Sequence, residues 1–416
     1  MSFLKILRYE LKKIFEQKGI WIIAFIFICV SFFNIYKTYY TPPVDKESGQ
    51  IAMDKAEKNL KEEYSGELSI ENINRFMTDY QKAEQASIVD NPNKYNPSKY
   101  YSGFAYGDFQ LYKLIKDEME RIYFYNDYVV TVRDTANEIA DSLENINPYL
   151  CKYNRKISQI YSDRKVTHFY NVQSVPFYFE YKFSSLIIIL LILLGLTSKF
   201  CGECELGMDQ TLKTCKYGRD KTNLAKICSG WIYIIFLSVL FSLLDYVMFK
   251  YCLGFNSLDQ YLYAIEEYSG TTLNLKIWQA QLLVQAIKTL GFLVLGSLIM
   301  LISAVFRSSV KAYAVSVFAV VSLILATIIM PEGAGEYINL LNPVRLINSQ
   351  TMFKEFQAVN IFGNPVFTAY AAVTAGIICF VAIFTATFFV SRKYRMSPAR
   401  NSKRKQKGGT LPTFGS

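Results

Sequence analysis

Six stretches of almost unbroken apolar residues, at 20–36, 184–200, 227–251, 278–306, 312–330 and 366–390, alternate with polar segments of very unequal length. A helix rises about 1.5 Å per residue, so roughly 20 apolar residues cross the ~30 Å hydrocarbon core of a bilayer. In lipid the backbone must satisfy its own hydrogen bonds, and apolar runs of this length do so as helices. The pattern predicts an all-α integral membrane protein with six transmembrane helices. The longest polar segment, residues 38–183, separates the first two and predicts a mainly helical extracytoplasmic domain.

Within that insertion the pattern changes several times. Thr41-Pro42-Pro43 marks a linker. Residues 46–86 are rich in Lys, Glu, Ala and Gln and read as exposed helix. Asn91-Pro92, Asn96-Pro97, Gly103 and Gly107 interrupt it. Leu111, Leu114, Ile115, Met119, Ile122, Tyr123 and Val129 then recur at helical spacing across 108–143, and a shorter helix is expected over 148–162. Residues 166–178 are β-branched and aromatic and read as extended. Tyr95, Tyr100, Tyr101, Tyr106, Tyr123, Tyr125 and Tyr128 serve either as core and interface aromatics or as a substrate-contacting surface.

The hydrophobic fraction of 51% against 19% charged residues fits a polytopic membrane protein with one polar domain. The net charge of +10 raises the question of nucleic acid, but the basic residues flank spans instead of covering one folded face. They gather at Lys5–Lys18, at Lys199–Lys226, at Arg307 and Lys311, and in the tail beyond Ser391. By the positive-inside rule both termini are cytosolic, and a nucleic-acid partner is not expected. The tail, residues 391–416, is too basic and too poor in apolar residues to build a core, and reads as disordered or lipid-associated. Residues 1–19 form an amphipathic segment with Phe3, Leu4, Leu7, Leu11, Ile14 and Phe15 on one face. It reads either as a helix lying in the inner interface or as a continuation of the first span. No small-residue cleavage pattern follows the first apolar run, which predicts an uncleaved anchor.

Catalytic signatures are missing. The sequence holds no G-x-x-x-x-G-K-[ST] phosphate loop, and its single histidine, His168, leaves no Ser-His triad or H-E-x-x-H zinc site for the spans. Cys201-Gly202-Glu203-Cys204 has metal-like spacing, with Cys215 following, but a structural zinc site ordinarily shows two such pairs or added histidines. Cys151 and Cys252 are both expected outside, where a bridge between them is open. The chain reads as non-catalytic, with no metal and no cofactor of its own.

The connection between the second and third spans is the informative segment. Glu205-x-Gly207, then Gly218-Arg219 and Lys226, surround a predicted three-turn helix starting near Glu203, with Glu205, Met208, Asp209 and Leu212 on one face. This resembles the corresponding connection in type-2, exporter-type permease subunits of ABC transporters. The resemblance covers the six spans, the inside termini and the amphipathic N-terminus, but not the large insertion. It implies a bacterial plasma-membrane location, in keeping with the Ile, Lys, Asn and Tyr content. It implies two copies of a separate ABC ATPase as partners, with ATP and Mg bound only there, and either a second permease copy or a paralogous permease. It casts Glu205, Gly207, Met208, Asp209 and Leu212 as the coupling residues that dock the ATPase, with Arg219 stabilising the turn. An amphipathic or antimicrobial peptide is the first expectation for cargo, with a drug-like molecule, lipid or glycan open. A non-transporting membrane sensor or a mechanotransmission subunit is the alternative.

Polar residues inside spans are costly in lipid and single themselves out. Asp245 lies in the outer half of the third span, and Gln281, Gln285 and Lys288 form an i, i+4, i+7 stripe on the fourth. At similar depth, Asp245 and Lys288 are expected to face each other or a shared cavity. Alternatively they are a structural pair or snorkel to the interface. The connection at 331–365 is too apolar for a free loop and is expected to form short helices dipping into the outer leaflet.

Overall fold

A computed structural model describes residues 3–39, 48–91, 94–172, 174–208, 220–254, 258–329 and 334–392. Six helices in it are long and apolar enough to cross a membrane: Lys18–Thr38, Val175–Glu205, Lys221–Leu253, Ile277–Val305, Ser309–Ile329 and Thr368–Arg392. The second and fourth spans are central. Of the apolar stretch of the second span 72% is buried inside the molecule, against 11% for the sixth. Small residues permit the close central packing. A Cβ on Gly195 of the second span would sit 2.7 Å from the Tyr233 ring of the third. The outer spans present Phe25, Phe318, Ile328 and Ile378 outward, as lipid-facing helices do.

Ahead of the first span lies α1 (Phe3–Phe15), followed after a break at Glu16–Gln17 by α2 (Lys18–Tyr39), the first span itself. The break resolves the two readings of the N-terminus: α1 is a separate helix packed on the third span. Its buried face carries Ile14 and, unexpectedly, Glu10, while Leu4 is exposed. Trp21 Nε1 donates to the Phe15 carbonyl at 2.8 Å and its ring stacks on Phe15, fixing the corner.

The insertion is helical, as its periodicity predicts. It comprises α3 (Ser48–Glu63), α4 (Ile70–Val89), the 39-residue α5 (Ala105–Leu143) and α6 (Pro148–Tyr161). The Ser69 hydroxyl caps α4 on Asn72 N, and Asn147, followed by Pro148, caps α6 on Leu150 N. The single helix expected over 46–86 is two helices, because Gly66, at φ 140°, turns the chain into strand β1 (Gly66–Glu67). Its antiparallel partner is β2 (His168–Phe169). Beyond β2 the extended reading of 166–178 fails: α7 (Val175–Glu180) opens the second span, and α8 (Phe183–Leu196) and α9 (Ser198–Glu205) continue it. Pro176 sits in the first turn of α7, where its missing N–H is harmless.

The connections between spans 3 and 4 and between spans 5 and 6 join the insertion on one side of the bundle. Lys152 donates to Asn364 at 2.8 Å, and Tyr153 meets Phe356 edge-on at 4.8 Å. Short helices at Ala334–Asn339 and Pro343–Ile347 agree with the sequence reading of 331–365. Gly291, about halfway along the fourth span, lets the second of these approach; an added Cβ there would lie 2.9 Å from Pro343 O. The rest of that segment departs from the reading. Strands β3 (Ala358–Ile361) and β4 (Asn364–Phe367) form a hairpin, turned by Phe362 at φ 50° and Gly363 at φ 77°. Two positive φ values suit a two-residue hairpin turn, but a phenylalanine in that position carries no sequence signal for one.

Candidate functional site

Polar side chains meet inside the bundle at two levels. The first is in the half of the spans nearer the insertion. Asp245 is about 12 Å along its helix from the insertion-side end of the third span. Its Oδ1 accepts a 2.7 Å hydrogen bond from Ser184 of the second span. Ser184 Oγ lies 3.3 Å from Ser31 Oγ of the first span, and Ser31 lies 3.2 Å from the Tyr181 hydroxyl, which donates to Asn34 at 3.2 Å. Ser31 has one proton for its two hydroxyl neighbours; given to Ser184, it links the first, second and third spans through Asp245. Ser31 and Asp245 also line a narrow crevice between spans 1 and 3.

The polar stripe on the fourth span is real, and each member has its own setting. Gln281 Nε2 donates to Tyr178 OH at 2.9 Å, leaving Gln281 Oε1 buried without a partner among the described residues. Gln285 Nε2 donates to Ser238 Oγ at 2.9 Å, and Thr289 lies 2.8 Å from the same hydroxyl. Lys288 and Asp245 are near enough for mutual attraction, but the partner of Asp245 is Ser184, and no direct ion pair joins the two charges. The narrow crevice lined by Asp245 does not include Lys288. Ser31, Asn34, Tyr181 and Ser184 were missed by sequence reasoning, although Ser31 and Asn34 stand out at i, i+3 in an apolar run.

The second level lies on the opposite, N-terminal side. Glu10 of α1, 3% exposed, accepts from Lys199 at 3.2 Å and from Lys13 at 3.0 Å. Lys13 also reaches Glu203 at 3.1 Å, and Glu203 pairs with Lys226 at the start of the third span. Two carboxylates and three ammonium groups thus fasten α1 to spans 2 and 3. Burial pushes the Glu10 carboxyl upward, but Lys199, Lys226 and Lys13 outweigh it and hold it below its ordinary range. For Lys13 burial pulls downward, and Glu10 and Glu203 hold the ammonium above its ordinary value. Cys201, one of the metal-spaced pair, is buried and donates to Thr197 O at 3.0 Å. Cys151 and Cys252 are free thiols.

The expected coupling residues border this network. The three-turn helix expected to start near Glu203 is not continuous there: α9 ends at Glu205, Gly207 turns left-handed at φ 69°, and helix begins again at Met208. Glycine reverses the chain at no steric cost, which separates Glu205 from Met208 on the expected helical face. The Glu205 carboxylate instead accepts from Ser309 N and Ser309 Oγ, both at 2.7 Å, and caps the fifth span. Met208 is exposed. Asp209, Leu212 and Arg219 lie outside the described residues. Asp220, just after them, pairs with Arg392 of the sixth span at 2.8 Å.

No family model, curated protein or solved structure matches this chain.

Proposed function

We propose that the chain is the permease subunit of an ATP-driven ABC exporter in a bacterial plasma membrane, with both termini cytosolic. The observation that carries the reading is the anchorage of the segment between spans 2 and 3. Its first residues bond to the fifth span through Glu205 and to α1 and the third span through Glu203. Its last described residue, Asp220, bonds to the sixth. A partner pressing on residues 206–220 would push α1 and spans 2, 3, 5 and 6 together, as an external ATPase needs in order to rock a permease. The polar zone around Asp245, Gln281, Gln285 and Lys288 is the proposed pathway lining, since such groups are retained in lipid where they serve passage or binding. ATP and Mg belong to the partner ATPase, present in two copies, and a second permease completes the pathway.

The test is to co-express the chain with an ATP-binding subunit encoded beside it, purify through a tag on the permease, and measure ATP hydrolysis with the native chain and with Glu205→Ala. Co-purification with hydrolysis reduced in the variant is the expected result. If no ATPase accompanies the chain, the reading fails.

One observation favours a second reading, that of a mechanotransmitting or sensing subunit. Arg164 of the insertion is 5% exposed. It donates to Ser269 O at 3.1 Å, to Asn274 Oδ1 at 2.9 Å and to Thr271 O, all on the connection between spans 3 and 4. Movement of the insertion would pass directly to those spans.

A further inference from the structure

Two cavities run along one face of α5. The first, of about 270 Å³, is walled by Tyr125, Tyr128 and Tyr263 and closed by Ser269. The second is an open groove of about 530 Å³ between α5 and α3. Both are lined by Arg121 and Glu266, whose loose ion pair of 3.9 Å stands where they meet. From Gln110 at one end to Tyr128 at the other they follow about 27 Å of helix. That length suits about eight residues of extended chain at ~3.3 Å each.

The lining tells what kind of chain. In the groove Glu57, Asp117, Glu118 and Glu266 outnumber Lys113 and Arg121, although the whole protein carries +10. Lys61, enclosed beneath Glu57 and Glu118 at 2.9 and 3.0 Å, offsets only part of the excess. The tyrosine pocket is suited to a cation at its mouth, where the Glu266 carboxylate is well exposed. The same ring system already holds a guanidinium from within: Arg164 lies 4.3 Å from the Tyr161 centroid and 5.1 Å from that of Tyr263. Tyr125 and Tyr263 stack at 5.9 Å, which stiffens the wall.

We infer that this trough binds an extended basic peptide, with an arginine or lysine side chain entering between Tyr128 and Glu266 and further basic residues following the acids along α5. The inference supplies a cargo or signal for the permease reading and rests on it for that meaning, but binding is measured without any ATPase.

The full chain is placed in nanodiscs of zwitterionic phosphatidylcholine, with empty nanodiscs as the blank. The probes are fluorescent eight-residue peptides, Arg-Phe-Arg-Gly-Arg-Phe-Arg-Gly and its counterparts with Gln or Glu at every Arg, followed by anisotropy. The Arg peptide is expected to bind about tenfold more tightly than the Gln peptide and to weaken with salt, and the Glu peptide not to bind. The double variant Asp117→Asn, Glu266→Gln should weaken the Arg peptide about tenfold and Tyr128→Ala roughly threefold. Glu120→Gln, on α5 but outside both cavities, should leave binding unchanged. Equal affinity for the three peptides, or Arg-peptide binding indifferent to both trough variants, overturns the inference. Arg-peptide binding by a chain that associates with no ATPase keeps the trough and removes the permease reading alone.

Discussion

The molecule fastens its two non-membrane layers to the spans in opposite ways. On the N-terminal side, α1 is held by five charges that share partners: Glu10 with Lys199 and Lys13, Glu203 with Lys13 and Lys226. On the insertion side the polar fastening centres on one buried guanidinium, Arg164, spread over Ser269, Thr271 and Asn274, with separate single bonds around it from Tyr125 to Ser269 O, from Gln260 to His168 O and from Lys152 to Asn364. A shared network tolerates the loss of an outer member because each remaining charge keeps a partner. Arg164 is the buried member of its set, and removing it takes the donor from Thr271 O, while Ser269 O keeps the Tyr125 hydroxyl. The N-terminal side is therefore a base built as a network of shared partners, and the insertion is held by a set of separate contacts with Arg164 as its strongest point.

Breaking that point should give the largest effect. Arg164→Gln is expected to loosen the insertion from the 258–276 connection by about 3 kcal/mol. Hydrogen exchange should accelerate over 258–276 and the facing part of α5 while the spans stay protected. Unchanged exchange at both would mean that the apolar contacts of Tyr263 and Ala264 and the remaining hydrogen bonds, such as Gln260 to His168 O, hold it without Arg164.

The base should show graded losses. Glu10→Ala leaves Lys199 buried without its carboxylate and is expected to cost about 2–4 kcal/mol. Lys13→Ala, at a half-exposed position, should cost under about 1 kcal/mol once solvent screening is allowed for. Thermal unfolding in detergent compares them, and equal losses would contradict a redundant network. Acid sharpens the same contrast. The Glu10 carboxyl is held below 4.5, so its contribution is fully present above that pH and is lost as pH falls through the lower folded-state value. Protease access to α1 should rise below about pH 4.5 in the native chain, and much less in Glu10→Gln, which has no carboxylate to protonate.

These two junctions also show where sequence reading stops. The spans were legible because length and apolarity alone decide them. The helices of the insertion followed from periodicity. Arg164 was not legible: it sits in Ser162-Asp163-Arg164-Lys165, an ordinary polar turn, two of its partners are backbone carbonyls that carry no side-chain signal, and Asn274 lies 110 residues away. Glu10 was half legible. It falls on the apolar stripe one turn from Ile14, and a charge there demands a partner; Lys13 lies three residues on, but the buried partner, Lys199, lies 189 residues away. The β3–β4 hairpin escaped because its turn is made by phenylalanine.

In the membrane zone the contrast between shared and single fastening is tested by Asp245 and Lys288. Asp245→Asn keeps a hydrogen bond to Ser184, and Lys288→Gln keeps an amide in place of the ammonium. Each should lower stability modestly, and the double change should cost less than the sum, with a coupling of about 1 kcal/mol. Strict additivity would mean that the two charges act apart, each with its own neighbours.

Glu205 should give the smallest change in stability and the most selective change in function. Its carboxylate is exposed and caps one helix end through Ser309. Water replaces such a cap readily, so Glu205→Gln should leave the melting temperature of the isolated chain almost unmoved. If the segment at 206–220 receives a partner's push, the same change should slacken the link from that segment to the fifth span. ATP hydrolysis by the assembled complex would then fall, as expected for Glu205→Ala, while the complex stays intact. Glu203→Gln, which weakens the internal pairs with Lys13 and Lys226, should instead reduce stability first. A pair of variants two residues apart therefore separates holding the base together from passing force through it. If both behave alike, in stability and in coupling, Glu205 is one more structural contact and the force must enter elsewhere.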